Sequence, residues 1–318
     1  MPAGRSVRVR PAGADGRRRR GPEVQDGPSR SGKCGAYRSV PRARPLPSLA
    51  VLRLALLGGG RMGEALLAGL LDAGWDADTL AVAEIDPERR HVLEQRFPGV
   101  RVVPSPAWAV PDADVIVLAV KPDDAPGALE ASASGLAEGA LVISIAAGVT
   151  LDALEAAVPD RPVVRAMPNT PALVKRGAAA IAAGRHATDA DLDIAERVLG
   201  AVGTVVRVPE HHLDAVTGLS GSGPAYVFLV AEALIEAGVL AGLPRDTADA
   251  LVRQTLVGAA LLLAEGESPE ALRAAVTSPG GTTAAGLHAL EEHGVRAALL
   301  DAVLAATDRS RELGRGGS

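Results

Sequence analysis

The chain has 318 residues and a formal net charge of −5, long enough for two domains that each bury a core. Hydrophobic residues make up 47% and aromatic residues only 2%, so that core is built from Ala, Val, Leu and Ile. No 18-residue stretch is free of both charges and helix breakers, which argues against a transmembrane helix, and the single cysteine, Cys34, excludes an intrachain disulfide and a cysteine-based metal site.

Charge is distributed unevenly. Residues 1–50 carry a balance of +9 and include the run Arg17–Arg20, whereas residues 51–318 carry −14. An acidic body argues against nucleic acid as the main partner. The basic tail is rich in Arg, Pro, Gly and Ser and shows no apolar periodicity before Leu49. It reads as a disordered extension, with a phosphate-binding basic arm as the alternative. A targeting peptide needs an apolar stretch after the basic run, and none follows. Val51 stands just before the first strand and is readable as an alternative start.

Leu52–Leu57 has the composition of a buried strand, and Arg61–Ala73 has the apolar spacing of a helix. Leu80–Ala83 predicts a second strand and Pro87–Phe97 a second helix, with Pro87 suited to its first turn. Further strands are expected at Val100–Val103, Ala113–Val120, Ala140–Ile145 and Pro162–Met167, followed by a strand–helix–strand unit over Gly177–Val208. Strands alternating with helices predict a parallel sheet covered on both faces. After about residue 210 only helices are expected, at Pro224–Ala241, Pro244–Glu265, Pro269–Val276, Thr282–His293 and Val295–Leu313. Those within 224–263 are apolar almost all round, which predicts burial against another subunit.

The string Gly58-Gly59-Gly60-Arg61-Met62-Gly63 is a G-x-G-x-x-G turn placed between a strand and a helix. Gly58 suits the tight turn, Gly60 lets a pyrophosphate approach the backbone, and Gly63 lets the helix pack near the strand. The anion would sit on the helix N-terminus. This predicts a Rossmann-type dinucleotide-binding domain. An acidic residue near the end of the second strand favours a free ribose 2′-OH, and Glu84 and Asp86 are candidates. Arg89 and Arg90 follow closely and suit a 2′-phosphate, so NADH and NADPH both stay open. Asp86 is equally well placed to cap the helix that begins at Pro87.

In a chain with 3 Lys, 30 Arg and one Asn, rare residues act as markers. Lys121, Asn169, Met62, Met167 and Tyr226 all fall at strand ends or beside Gly/Pro turns, where open α/β sheets bind ligands. Ser278-Pro279-Gly280-Gly281-Thr282-Thr283 places three hydroxyls and two glycines at a helix start, a site for a small carboxylate, with simple capping by Thr282 or Thr283 as the alternative. No catalytic triad, paired carboxylates or metal-ligand spacing is evident, and the six histidines form no ligand pattern. Hydride transfer needs none of these, because the cofactor carries the chemistry.

These motifs together resemble the pyrroline-5-carboxylate reductase family over about residues 52–312. The resemblance rests on the glycine turn, Ala119–Pro122, the S-I-A-A-G-V-T-L string at 144–151, R-A-M-P-N-T-P at 165–171, G-L-S-G-S-G-P-A-Y at 218–226 and S-P-G-G-T-T at 278–283. It implies NAD(P)H-dependent reduction of 1-pyrroline-5-carboxylate to L-proline, the last step of proline biosynthesis, by a cytoplasmic enzyme with no membrane or nucleic-acid partner. It implies an α/β fold: a Rossmann-type, mostly parallel sheet domain over 51–208, then an all-α dimerisation and substrate domain over 209–318. Homo-oligomers built from interlocked dimers are implied too. By motif, Gly58, Gly60, Arg61 and Met62 would line the pyrophosphate, with Glu84 toward the ribose. Ala119, Val120, Lys121 and Pro122 would wall the ribose and nicotinamide, and Ala146, Ala147 and Asn169 would complete the nicotinamide pocket. Ser278, Gly281, Thr282 and Thr283 would hold the substrate carboxylate, with Thr283 and Lys121 as catalytic candidates and Thr283 near the imine nitrogen. The Glu84–Asp86 pair departs from the Ser, Thr or Arg that family members often carry there.

Two other readings compete. A β-hydroxyacid-dehydrogenase-like reductase would place a Lys in the linking helix, and 210–217 has none. A non-catalytic dinucleotide sensor would keep the glycine turn without needing Ser278–Thr283.

Overall fold

The computed structural model describes residues 52–316. The extension expected over residues 1–50 lies outside the described residues. Eight strands form one sheet: β1 (Leu54–Leu57), β2 (Leu80–Ala83), β3 (Arg101–Val103), β4 (Val115–Leu118), β5 (Leu141–Ser144), β6 (Val163–Met167), β7 (Gly177–Ala183) and β8 (Gly203–Arg207). Their spatial order is β3-β2-β1-β4-β5-β6-β7-β8, so the chain order reverses between β1 and β4. All neighbours run parallel except β6 and β7. Only a short 3-10 turn, Thr170–Val174, joins β6 to β7. A parallel return needs a crossover of a dozen or more residues, so this joint closes antiparallel.

The helices of this half are α1 (Arg61–Asp72), α2 (Pro87–Arg96), α3 (Pro106–Ala109), α4 (Ala125–Ser132), α5 (Leu151–Ala157) and α6 (Asp189–Gly200). The short α3, α4 and α5 were not evident in the sequence; each is too brief to show a clear apolar period. Strand β1 explains the layering. Leu54 and Leu56 face a core with Leu66, Leu67, Leu70, Leu93 and Val198, while Ala55 and Leu57 face a second core with Leu129, Leu151 and Leu154. A strand covered on both faces has to be apolar at every position. On the outer edge, Arg207 of β8 donates to Glu196 of α6 at 2.6 Å and pairs with Asp193. The Glu196 hydrogen bond is the main cause holding the Arg207 guanidinium above its ordinary range.

Beyond β8 the described chain is helical: α7 (Leu213–Val216), a π-helical turn Thr217–Gly221, α8 (Gly223–Leu240), α9 (Arg245–Ala264), α10 (Pro269–Ala275), α11 (Thr282–Glu292) and α12 (Val295–Gly316). Helix α12 packs on α7 and the π turn, and α8 pairs with α9. Tyr226 ties this bundle together, donating to the carbonyls of Gly218 at 3.1 Å and Ala302 at 3.4 Å. Helices α8 and α9 leave apolar residues uncovered, including Phe228 at 61% and Leu240 at 91% exposed. Glu210–Leu240 and Arg245–Ala264 are long and apolar enough to cross a membrane, with mean hydropathies of 1.5 and 1.3. Pro224 falls in the first turn of α8 and so does not break it.

Leu66 is fully buried on α1. Replacing it with Ala should destabilise the fold by about 2–5 kcal/mol, read as a lowered denaturant midpoint, because its contacts lie on both α1 and the sheet.

Candidate active site

The C-terminal ends of parallel strands share one edge of a sheet, and ligands bind where the strand order reverses. Here that point lies between β1 and β4. The glycine turn follows β1, Ala119–Pro122 follows β4, Ile145–Thr150 follows β5 and Pro168–Pro171 follows β6. The structure therefore brings four of the expected motifs to one edge.

The turn is built by close backbone approach. Gly58 has φ +111°, and a Cβ there would lie 2.6 Å from the Ala119 carbonyl oxygen and 3.1 Å from Val120 Cγ1. A Cβ at Gly63 would collide with the Gly58 carbonyl oxygen. At Gly60 a Cβ meets nothing within 4 Å, so this glycine keeps space open instead of filling it. Gly60 is the N-cap of α1 and offers no side chain, leaving the first amides of the helix without a side-chain partner. Such a cradle fits a dinucleotide pyrophosphate. Arg61 and Met62 occupy the first two helical positions; Arg61 is exposed and Met62 half-buried.

Lys121 is exposed and starts the short turn Pro122–Asp124. Ala146 is buried behind β5, with its N–H donating to Ser144 Oγ at 3.3 Å, while Ala147 is exposed. Asn169 is committed to structure. Its Nδ2 donates to the Ser220 carbonyl at 3.0 Å, and its Oδ1 accepts from Ala178 N–H at 2.8 Å. It thereby joins β6, β7 and the π turn. Met167 supports the same joint, since a Cβ at Gly221 would come within 2.7 Å of its methyl group. These partners lie too far along the chain to be read from spacing. A second link that the sequence did not show is Glu210, whose Oε1 accepts from Arg165 at 2.9 Å and from Leu151 N–H at 2.7 Å. Arg165 is 7% exposed within an apolar strand, and a buried charge of this kind is the available signal.

Ser278–Thr283 forms the entrance to α11. Gly281 is its N-cap with extended backbone, and no side chain caps the helix. Thr282 and Thr283 are helical positions, so the alternative in which they serve as plain caps does not hold. By contrast Asp86, Thr150, Thr188 and Ser268 cap α2, α5, α6 and α10. Asp86 thus acts as a cap, with its Oδ1 accepting from Glu88 N–H at 2.9 Å. Helix α11 packs on α12 and α10 on α9. Among the described residues no hydrogen bond joins Ser278–Thr283 to the sheet, and the structure does not bring this turn onto the edge that carries the other motifs.

A glycine-entered helix at the reversal point of a mostly parallel sheet defines a dinucleotide-binding fold. The family model described as pyrroline-5-carboxylate reductase dimerisation matches residues 210–313, and one described as NADP oxidoreductase coenzyme F420-dependent matches residues 53–148. A pyrroline-5-carboxylate reductase of Synechocystis sp. is 47% identical over 266 residues, covering 83% of this chain and 99% of its own. One from Mycobacterium tuberculosis is 45% identical over 286 residues, covering 82% and 96%. The solved pyrroline-5-carboxylate reductase of Coxiella burnetii matches with a TM-score of 0.79 at 37% identity, covering 83% of this chain and 98% of its own. A pyrroline carboxylate reductase of Plasmodium falciparum, solved with NADP bound, matches with a TM-score of 0.72 at 31% identity and the same coverage. The chain belongs to the pyrroline-5-carboxylate reductase family.

If Asn169 is the joint described, Asn169→Ala should lower stability by about 1–3 kcal/mol, the cost of leaving the Ser220 carbonyl and Ala178 N–H unpartnered. Thermal unfolding of the variant reads this. An unchanged melting temperature would show that water replaces both bonds.

Proposed function

We propose that this chain reduces 1-pyrroline-5-carboxylate to L-proline with NADH or NADPH, the last step of proline biosynthesis, in the cytoplasm. The observation that carries the proposal is a pair of helices, α1 and α11, each entered through glycine and neither capped by a side chain. Two uncapped helix N-termini suit two anions. In this reading α1 receives the cofactor pyrophosphate and α11 the substrate carboxylate.

Bound NAD(P)H supplies the hydride. Every other requirement falls to the chain. Gly58, Gly60, Arg61 and Met62 cradle the pyrophosphate, while Glu84 faces the ribose. Ala119, Val120, Lys121, Pro122, Ala146, Ala147 and the backbone held by Asn169 wall the nicotinamide end. The substrate is a cyclic imine, electrophilic at its C=N carbon once protonated, so alignment matters more than strong acid catalysis. Ser278, Gly281, Thr282 and Thr283 hold the carboxylate with amides and hydroxyls. Thr283 is the hydroxyl nearest the imine nitrogen, and Lys121 is the second catalytic candidate.

We further propose that the two anion sites meet across a dimer. Helix α11, which the Ser278–Thr283 turn enters, packs on α12, and among the described residues no hydrogen bond joins the turn to the sheet. The exposed apolar faces of α8 and α9 lie in the region matched by the dimerisation model, and a second copy is the cover this reading gives them. Interlocked dimers then place the turn of one copy over the sheet edge of the other. The matching domain division is a sheet domain over 51–208 and a helical dimerisation and substrate domain over 209–318.

Thr283→Ala should lower kcat/KM for the imine by about ten- to 150-fold, the range of a lost hydrogen bond to a charged reacting group. Cofactor affinity should be unchanged. Following nicotinamide absorbance with the imine, and cofactor binding separately, tests both halves. Equal loss of cofactor affinity would contradict the assigned role.

A further inference from the structure

The cofactor choice that the residues of the second strand left open is resolved by how their side chains are held. Glu84 follows β2 with its carboxylate turned onto the glycine turn. Its Oε2 accepts from Gly59 N–H at 2.9 Å and its Oε1 from Asp86 N–H at 3.0 Å. The approach is close. A Cβ at Gly59 would overlap Leu93 Cδ1 and come within 3.2 Å of Glu84 Oε2. The middle glycine therefore seats this carboxylate as well as the cofactor. Two backbone N–H bonds fix the group without neutralising it, and a carboxylate has about four acceptor positions, so about two stay open.

The neighbouring cations are directed elsewhere. Arg89 Nε donates to the Gly59 carbonyl at 2.7 Å, and its guanidinium pairs with Glu64. Arg96 pairs with the same Glu64. Arg90 donates from one nitrogen to the carbonyls of Glu84 and Ile85, both at 2.8 Å. Asp86 adds a second carboxylate beside Glu84. Arg61 sits at the start of α1, at the pyrophosphate turn.

We infer that Glu84 makes this enzyme select NADH over NADPH. A ribose diol carries two O–H donors for an oriented carboxylate. A 2′-phosphate brings a second anion, offers no comparable donor, and meets arginines already spent on Glu64 and on loop carbonyls. The selection is set by the fixed carboxylate, so Arg89 and Arg90 act as props for the loop and not as phosphate ligands. This inference rests on the reading of the glycine turn as a cofactor site.

The test is cofactor binding by calorimetry on the full chain, without substrate, for NADH and NADPH, with wild type and Glu84→Gln. The variant keeps the shape and one acceptor but removes the charge. Wild type should bind NADH at least about tenfold more tightly than NADPH, the scale of one partly screened like-charge contact. Glu84→Gln should narrow that ratio, chiefly by improving NADPH affinity. Equal or tighter NADPH binding by wild type would overturn the inference. A ratio unchanged in Glu84→Gln would overturn the assignment to this residue. Failure of both cofactors to bind would overturn the cofactor reading itself, and the selectivity with it.

Discussion

The contact between the Gly58 backbone and the Ala119 carbonyl holds the site together. At the reversal between β1 and β4 the two strand ends converge until no Cβ fits between them. Gly58 takes φ +111° to leave the strand there, and Gly63 lets α1 return across the Gly58 carbonyl. The start of α1 is thereby fixed over the sheet edge with its amides directed outward. Everything assigned to the cofactor side depends on that placement: the open space at Gly60, the seating of Glu84 on Gly59, and the wall after β4. A side chain at Gly58 or Gly63 would disturb all three together.

The two halves of the chain differ in how they are stabilised. The sheet half buries leucines and valines on both faces and has a complete core of its own. The helical half does not. Of α8, α9 and α11 only Ala248 is buried, and large apolar residues line their outer faces. Leaving such a surface in water is costly at roughly 25 cal/mol per Å² of apolar area. A second copy covering it would stabilise the fold and complete the site at once. Asn169 and Glu210 have a clear role: they tie the helical half to its own sheet, with Met167 packed at the same joint.

What the sequence revealed follows the range of each interaction. The glycine turn was legible because part of its constraint is local: the φ of Gly58, the approach of Gly63 to the Gly58 carbonyl and an uncapped helix start all fall within six residues, while the close approach to Ala119 does not. The long helices were legible from their period and their prolines, and β1, β4 and β5 from unbroken apolar runs. Ser278–Thr283 stood out by its surplus of hydroxyls and glycines, and the structure sharpened this by placing Gly281, not a threonine, at the cap. Other features depend on distant partners. The antiparallel turn of β7, the bonds from Asn169 to Ser220 and Ala178, and the bridge from Glu210 to Arg165 and Leu151 join segments that spacing cannot pair. Arg89 and Arg90 were ambiguous for the same reason, since only the fold shows that their guanidiniums face Glu64 and the loop carbonyls.

The central claim is that one functional site is made from the glycine turn of one copy and the Ser278–Thr283 turn of another. Mixed dimers test it directly. Gly60→Val should fold, because a Cβ there meets nothing within 4 Å, yet obstruct the pyrophosphate; Thr283→Ala should impair the substrate side. Each variant alone should be clearly impaired. Hybrids formed by subunit exchange should regain activity, because one of their two sites pairs an intact glycine turn with an intact Thr283. Verified hybrids that stay as impaired as their parents would contradict the shared site and place both anion sites within a single chain.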